Sequence, residues 1–350
     1  MKVLVIGGAG FIGSHVVDAL VADGHEVVVA DILLPNVHPG PPTYLNPAAA
    51  FVRADVRDTE TLARVLGDCD AVSHQAAMVG LGQDFSDVTG YVSHNDLGTA
   101  SLLGALHATG FAGRLVVASS MVVYGEGSFY CEAHGEQSPG PRSRGDLDAG
   151  RWDPLCAACG RALTVMPTTE KQAVDPRNVY AATKLHQEHL SFLFARETGV
   201  SVAALRYHNV YGPRMPRDTP YAGVASVFRS SLESGGAPEV FEDGMQLRDF
   251  VHVEDVARAN VVALNNVDAR GCYNIASGEP HTVVEMASDL TNAFDTALVP
   301  EITGNYRLGD VRHVIGSPAK AKSELGWAPE IDFEEGMRAF ARQPLRAGSI

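Results

Sequence analysis

MKVLVIGGAGFIGSHVVDALVADGHEVVVAD, residues 1–31, reads in order as strand, glycine turn, helix, strand and acid. Lys2 to Ile6 is a short apolar, β-branched run, the pattern of a strand buried on both faces of a parallel sheet. Gly7, Gly8, Gly10 and Gly13 follow at once, and Phe11 to Val21 repeats its apolar residues at helical spacing. Gly24 closes that helix, and Val27 to Ala30 is a second strand stopping at Asp31. Both Gly8-x-Gly10-x-x-Gly13 and the wider Gly7-x-x-Gly10-x-x-Gly13 are present. A tight turn, a pyrophosphate approaching bare amides and a helix packed close on its strand all call for residues without a Cβ. The arrangement predicts a dinucleotide-binding unit. Asp31, placed to accept hydrogen bonds from the adenosine ribose, repels a 2′-phosphate and so points to NAD rather than NADP.

Outward from this unit, strand and helix keep alternating. Phe51 to Val56 reads as a third strand whose end reaches the adenine, Glu60 to Leu66 as a helix, and Ala71 to His74 as a fourth strand running into Gln75, Ala76 and Ala77. Val88 to Ala108 is long enough for one helix, and Leu115 to Ala118 is a fifth strand ending in Ser119-Ser120-Met121-Val122-Val123-Tyr124-Gly125. Val179 to Glu197 is a helix, and Ser201 to Arg206 a sixth strand. This is the signature of a doubly wound parallel sheet with helices on both faces, the Rossmann arrangement, whose ligands sit beyond the carboxyl ends of the strands. From Tyr207 the elements shorten, which predicts a smaller α/β substrate domain over 207–350, with some segments returning to the sheet of a nucleotide domain over 1–206. Pro35 to Pro47 reads as loop, and Gly127 to Pro176 as a long irregular insertion.

The bulk numbers narrow the partners. A net charge of −15 over 350 residues argues against nucleic acid or an anionic membrane, and it obliges an anionic ligand to find local arginines. No apolar run is long enough to span a membrane, and the chain begins directly in a strand, so a cytoplasmic enzyme is expected. Five cysteines, an odd number, do not suggest a disulfide framework.

Tyr180-x-x-x-Lys184 places a phenol and an ammonium on one helical face. Alone it can be a surface pair. Behind a complete cofactor unit it is a candidate base whose phenol is made acidic by a neighbouring charge. Ser120, at a strand end, can share a substrate hydroxyl with Tyr180. In the insertion, Cys131-x-x-His134 and Cys156-x-x-Cys159-Gly160 are two chelating pairs, either a closed structural zinc site or a metal-free loop with incidental thiols.

These motifs, with Arg206 to Arg214, Gly244 to Phe250, Gly309-Asp310-Val311 and Leu325-Gly326-Trp327, resemble the extended short-chain dehydrogenase/reductases, specifically the NAD-dependent nucleotide-sugar epimerase/dehydratase group. The resemblance implies that Tyr180 is the base, Lys184 its tuner and cofactor anchor, and Ser120 the hydroxyl partner. Cofactor contacts are expected from Gly7, Gly10, Phe11, Ile12, Gly13, Asp31, Asp55, Val56, Gln75, Ala76, Ala77, Asn95, Tyr180 and Lys184, and substrate contacts from Ser120, Met121, Asn209, Arg217, Arg248, Arg307 and Asp310. Dehydratases of the group carry acids just after the hydroxyl residue. Here those positions are Met121 and Val122, so the expected reaction is 4-epimerisation through a transient 4-keto sugar. The substrate is read as a UDP-sugar, UDP-glucuronate or UDP-glucose/galactose, with a dTDP-6-deoxyhexose, a net 4-keto-sugar reduction or a non-catalytic NAD-binding protein as alternatives. Arg217, in the segment Met215–Tyr221, either pairs with a C6 carboxylate or is a solvated loop arginine. A homodimer through the helices at 88–108 and 179–197 is expected.

Overall fold

The structure is a computed structural model that describes residues 1–35, 37–38, 40, 42–80, 85–217 and 223–346. Its centre is a seven-stranded sheet built from β1 (Lys2–Ile6), β2 (Glu26–Asp31), β3 (Ala50–Arg53), β4 (Ala71–His74), β5 (Arg114–Ser120), β6 (Ser201–Tyr207) and β7 (Gly271–Ile275), in spatial order β7-β6-β5-β4-β1-β2-β3. Every pairing is parallel. Along β1, Val3 and Val5 point into one core and Leu4 and Ile6 into the other, as a period of two requires. The first core is covered by α1 (Phe11–Ala22), through Val16, Val17 and Leu20, and by α5 (Val253–Asn265). The second is covered by α2 (Thr59–Leu66), α3 (Gly98–Ala108) and α4 (Val179–Thr198). Both faces being apolar explains why the strands read as continuous hydrophobic runs. The C-terminal part has its own core of Phe228, Phe250, Met286, Met337 and Phe340, around a small sheet in which Asn209–Tyr211 and Pro280–Thr282 flank Leu247–His252.

Three elements differ from the sequence reading. The third strand stops at Arg53, where its ladder with β2 ends opposite Asp31, so Asp55 and Val56 lie past the sheet and face the cleft. The segment 88–108 is not one regular helix. Val88–Tyr91 runs into a π turn at Val92–Leu97 before α3 begins, and that turn carries the buried Asn95. The insertion is not irregular throughout. Ser128–Cys131 pairs antiparallel with both Gly135–Gln137 and Thr164–Met166. Its short strands and sparse apolar residues gave no period to detect. Among the described residues, no helix is long and apolar enough to cross a membrane.

Candidate active site

The strand ends of β1, β4 and β5 open onto a cavity of about 580 Å³, and a smaller one of about 130 Å³ adjoins it beyond β2 and β3. The two share Gly7, Gly10, Gln75, Ala77 and Met78, so together they make one trough running from Asp31 and Asp55 to Ser120 and Tyr180.

The glycines build the middle of the trough. Gly7 has φ +78°, and a Cβ there would lie 2.5 Å from the Ala76 nitrogen. A Cβ on Gly13 would lie 2.2 Å from the Gly7 carbonyl oxygen. Gly10 starts α1 with no side-chain cap, so the first-turn amides are left for an anion. An uncapped helix start, a floor without side chains and a trough of this length fit a dinucleotide pyrophosphate. Gly13→Ala is expected to force the turn apart and to yield protein without bound NAD, checked by the absorbance of nucleotide released on denaturation.

Of the cofactor residues read from the sequence, all but one line the trough. Asp31 accepts from the amides of Ala9 (3.1 Å) and Leu33 (2.9 Å), which fixes its carboxylate at the rim. Asp55 is gripped by the fork of Arg57, at 2.6 Å for the shortest contact, and this holds its carboxyl below the usual range. Gln75 bridges Asn260 and Tyr207. The exception is Asn95. Its amide accepts from Met78 N–H and donates to the Met78 carbonyl and the Thr183 hydroxyl, so it lines neither cavity and instead ties the strand-end loop to α4.

At the other end, Asn178 caps α4 by accepting from Ala181 N–H, which puts Tyr180 in the first turn and Lys184 one turn on, both facing the cavity. The Lys184 ammonium lies 5.9 Å from the Tyr180 ring centre and donates to the Ala118 carbonyl at 2.8 Å. Burial pushes Lys184 down to about 7. Burial also pushes the Tyr180 phenol up, against the pull of the Ser120 hydroxyl. Burial thus disfavours the charged form of each, and a protonated Lys184 beside the ring favours the Tyr180 phenolate.

Sequence reasoning missed what lies beneath. The Glu188 carboxylate accepts a fork from Arg206 (2.9 and 2.7 Å) and the Ser119 hydroxyl, while Arg206 also reaches Tyr124. All are buried, and they lock the end of β5, with Ser120, against α4 and β6. The signal was available, because Glu188 sits one turn beyond Lys184 on the same helical face. Arg346, on the cavity wall near Tyr44, had no local pattern to reveal it.

The substrate residues read from the sequence fall into two groups. Ser120 and Arg217 line the cavity. Asn209, Met121, Arg248, Arg307 and Asp310 do not. The Asn209 amide donates to the Asp249 carbonyl and contacts the Met121 sulfur. Arg248 donates to the carbonyls of Leu247, Val311 and Arg312, and Arg307 lies over the Phe241 ring. Burial pushes the Asp310 carboxyl up, opposed by Arg248, Arg307 and Arg142. Arg217 is already paired, with Glu233 at 2.5 Å. Residues 218–221 of its segment lie outside the described residues.

The Cys131, His134, Cys156 and Cys159 donor atoms converge to within 4.8 Å of one another in the insertion.

Comparison with known proteins agrees with this geometry. The profile of the NAD-dependent epimerase/dehydratase family matches residues 3–144 and 156–276. The chain is 33% identical over 343 residues to a dTDP-L-rhamnose 4-epimerase of Burkholderia thailandensis, covering 96% of this chain and 93% of that protein. The solved UDP-glucose 4-epimerase of Thermotoga maritima with UDP-glucose superposes with a TM-score of 0.79 at 31% identity, over 97% of each chain. The UDP-glucuronic acid 4-epimerase of Bacillus cereus with UDP-glucuronic acid and NAD does so at 0.76 and 26% identity, over 97% of this chain and 98% of that one. The chain belongs to the NAD-dependent epimerase/dehydratase family.

Proposed function

We propose that this protein is an NAD-dependent 4-epimerase of nucleoside-diphosphate sugars. The observation that carries the reading is the meeting of Tyr180, Lys184 and Ser120 on the wall of the trough that the glycine turn opens, with Met121 and Val122 following Ser120 where an eliminating enzyme needs acids. Tyr180, ionised while Lys184 is protonated, takes the proton from the sugar 4-hydroxyl, and Ser120 holds that oxygen against the phenol. NAD, when bound, supplies a reversible hydride acceptor at C4. The transient 4-keto sugar turns over in the cavity and presents the opposite face of C4, so that the returning hydride would give the 4-epimer while Tyr180 gives its proton back to the 4-oxygen. Neither Met121 nor Val122 can protonate a leaving hydroxyl, so the 6-position is untouched. The resemblance assigns Asn209, Arg248 and Arg307 to the substrate diphosphate and Asp310 to the nucleotide ribose; none of the four lines the trough, and Arg248 donates to backbone carbonyls.

A UDP-hexose is the first reading of the substrate. The cavity wall favours a dTDP-6-deoxyhexose as a second, because Met78, Val79, Met215 and Pro216 offer an apolar lining. For a uronate, Arg217 is paired with Glu233 through one nitrogen, and Arg346 is a second cation on the same wall. The test is incubation of the purified protein, with no added cofactor, against a panel of UDP- and dTDP-sugars read by chromatography. Conversion of one sugar into its 4-epimer supports the reading. Absence of turnover across the panel, or reduction that requires added NADPH, overturns it.

A structural zinc ion in the insertion and a homodimer complete the proposal. None of the four sulfur and imidazole donors lines the cavity, so the metal takes no part in the chemistry. Val92, Leu97 and Leu193 leave apolar side chains exposed on adjoining helical segments, which suits a second copy. Light scattering is expected to give twice the 37.1 kDa chain mass.

A further inference from the structure

We infer that zinc in the insertion acts as a clasp for the segment 306–313, to which the nucleotide is assigned, so that metal occupancy sets the affinity for the nucleoside diphosphate without touching the chemistry. The inference rests on the zinc and nucleotide assignments proposed above.

The donor geometry is that of an ion cage. Cys131 Sγ lies 3.7 Å from Cys159 Sγ, well beyond a disulfide bond, and 3.6 Å from His134 Nδ1. Cys156 Sγ lies 3.5 Å from the same nitrogen. Tetrahedral zinc, at ~2.3 Å from sulfur and ~2.05 Å from nitrogen, sets S···S edges of about 3.8 Å and S···N edges of about 3.6 Å. Each chelating pair ends on a glycine in the left-handed region, Gly135 at φ +72° and Gly160 at φ +69°, which turns the backbone back around the ligands. The turns close through His134 N–H to the Cys131 carbonyl and Gly160 N–H to the Cys156 carbonyl. Binding displaces three thiol protons and leaves the site at a net −1, beside a stretch carrying Arg142, Arg144, Arg151 and Arg161. With four protein ligands the site is closed, hence structural.

Through Phe129 and the stretch between the two pairs, the insertion grips residues 306–313. Arg142 forks onto Glu242 at 2.8 and 2.9 Å and donates to the Asp310 carbonyl at 2.8 Å. Asp153 accepts from the buried Arg312 at 2.7 Å. Trp152 and Phe129 pack on Tyr306 and His313. From the other side, Arg248 donates to the carbonyls of Val311 and Arg312. The stretch bearing Arg307 and Asp310 is thus held between Arg248 and a module with too little apolar surface to hold its own shape. Arg142 is a positioning residue: it holds the Asp310 carbonyl and lines neither cavity of the trough.

The test measures zinc by elemental analysis and the binding of UDP and dTDP by calorimetry, neither of which requires turnover. Wild-type protein purified without chelator is expected to hold about one zinc per chain. Cys156→Ser/Cys159→Ser is expected to lose the zinc, keep its NAD and bind the better of the two nucleotides about tenfold more weakly or worse. Arg142→Met is expected to weaken that nucleotide similarly while zinc and NAD stay in place, and to raise KM rather than lower kcat, with Arg142→Lys restoring part. Protein that holds no zinc even after refilling with zinc chloride overturns the metal site. Zinc present, with nucleotide affinity unchanged in both variants, overturns the clasp and leaves the metal. Wild type that holds zinc and binds neither nucleotide overturns the nucleotide assignment alone.

Discussion

Tyr180→Phe is expected to lower kcat by about three orders of magnitude, the middle of the range for removing a positioned acid–base group. The phenyl ring keeps its place beside Tyr91, whose ring centre lies 6.1 Å away, so folding and packing should be preserved. NAD released on denaturation should match wild type, because the glycine turn and Asp31 are untouched. Retained NAD together with lost turnover locates the defect at the proton transfer. Full turnover in this variant removes Tyr180 from the base role and takes the reaction scheme with it.

Lys184→Met is expected to act through the same phenol but on a different axis. At about 6 Å, with an effective dielectric of ~20, a unit charge is worth about 3 kcal/mol, or about two pK units. Removing the ammonium raises the Tyr180 phenol further above its ordinary value. The acid limb of the kcat profile should therefore move up by about two pH units, and kcat near neutrality should fall by about two orders of magnitude. Raising the pH should recover part of the loss, which a merely misfolded variant would not show. Stability should move the other way. The folded lysine titrates at about 7 against 10.5 in an open chain, so holding it in place costs stability that grows as pH falls from 10.5 to 7 and is fully present below 7. Replacing it with an apolar side chain of similar reach should raise Tm at pH 7, partly offset by the donor lost from the Ala118 carbonyl. A variant that loses Tm and shows an unshifted pH profile contradicts both the burial cost and the tuning role.

The opening strand–turn–helix–strand was legible because its constraints are local. Gly7 and Gly13 must lack a Cβ for reasons set within a few residues, and the alternation of apolar strands with amphipathic helices repeats down the chain. Tyr180 and Lys184 were legible for the same reason, since one helical turn fixes their face. Asn95 was read as a cofactor contact and the fold makes it a clamp instead, because its partners Met78 and Thr183 come from a strand end and a distant helix. The insertion showed its cysteine spacing and hid its three strands, whose pairing spans 128 to 166 with no period of its own.

Sequence alone determined the dinucleotide unit, the acid Asp31 at the end of its second strand, the phenol–ammonium pair and the want of an acid at positions 121 and 122. These depend on residue type and on spacings shorter than one helix or turn. Tertiary structure alone decided that Glu233 occupies Arg217, that Glu188 and Arg206 brace the end of β5, that Cys131 and His134 meet Cys156 and Cys159, and that Arg142 reaches the Asp310 carbonyl. A charge is neutralised by whatever the fold brings within a few ångströms, and chain order carries no record of that distance.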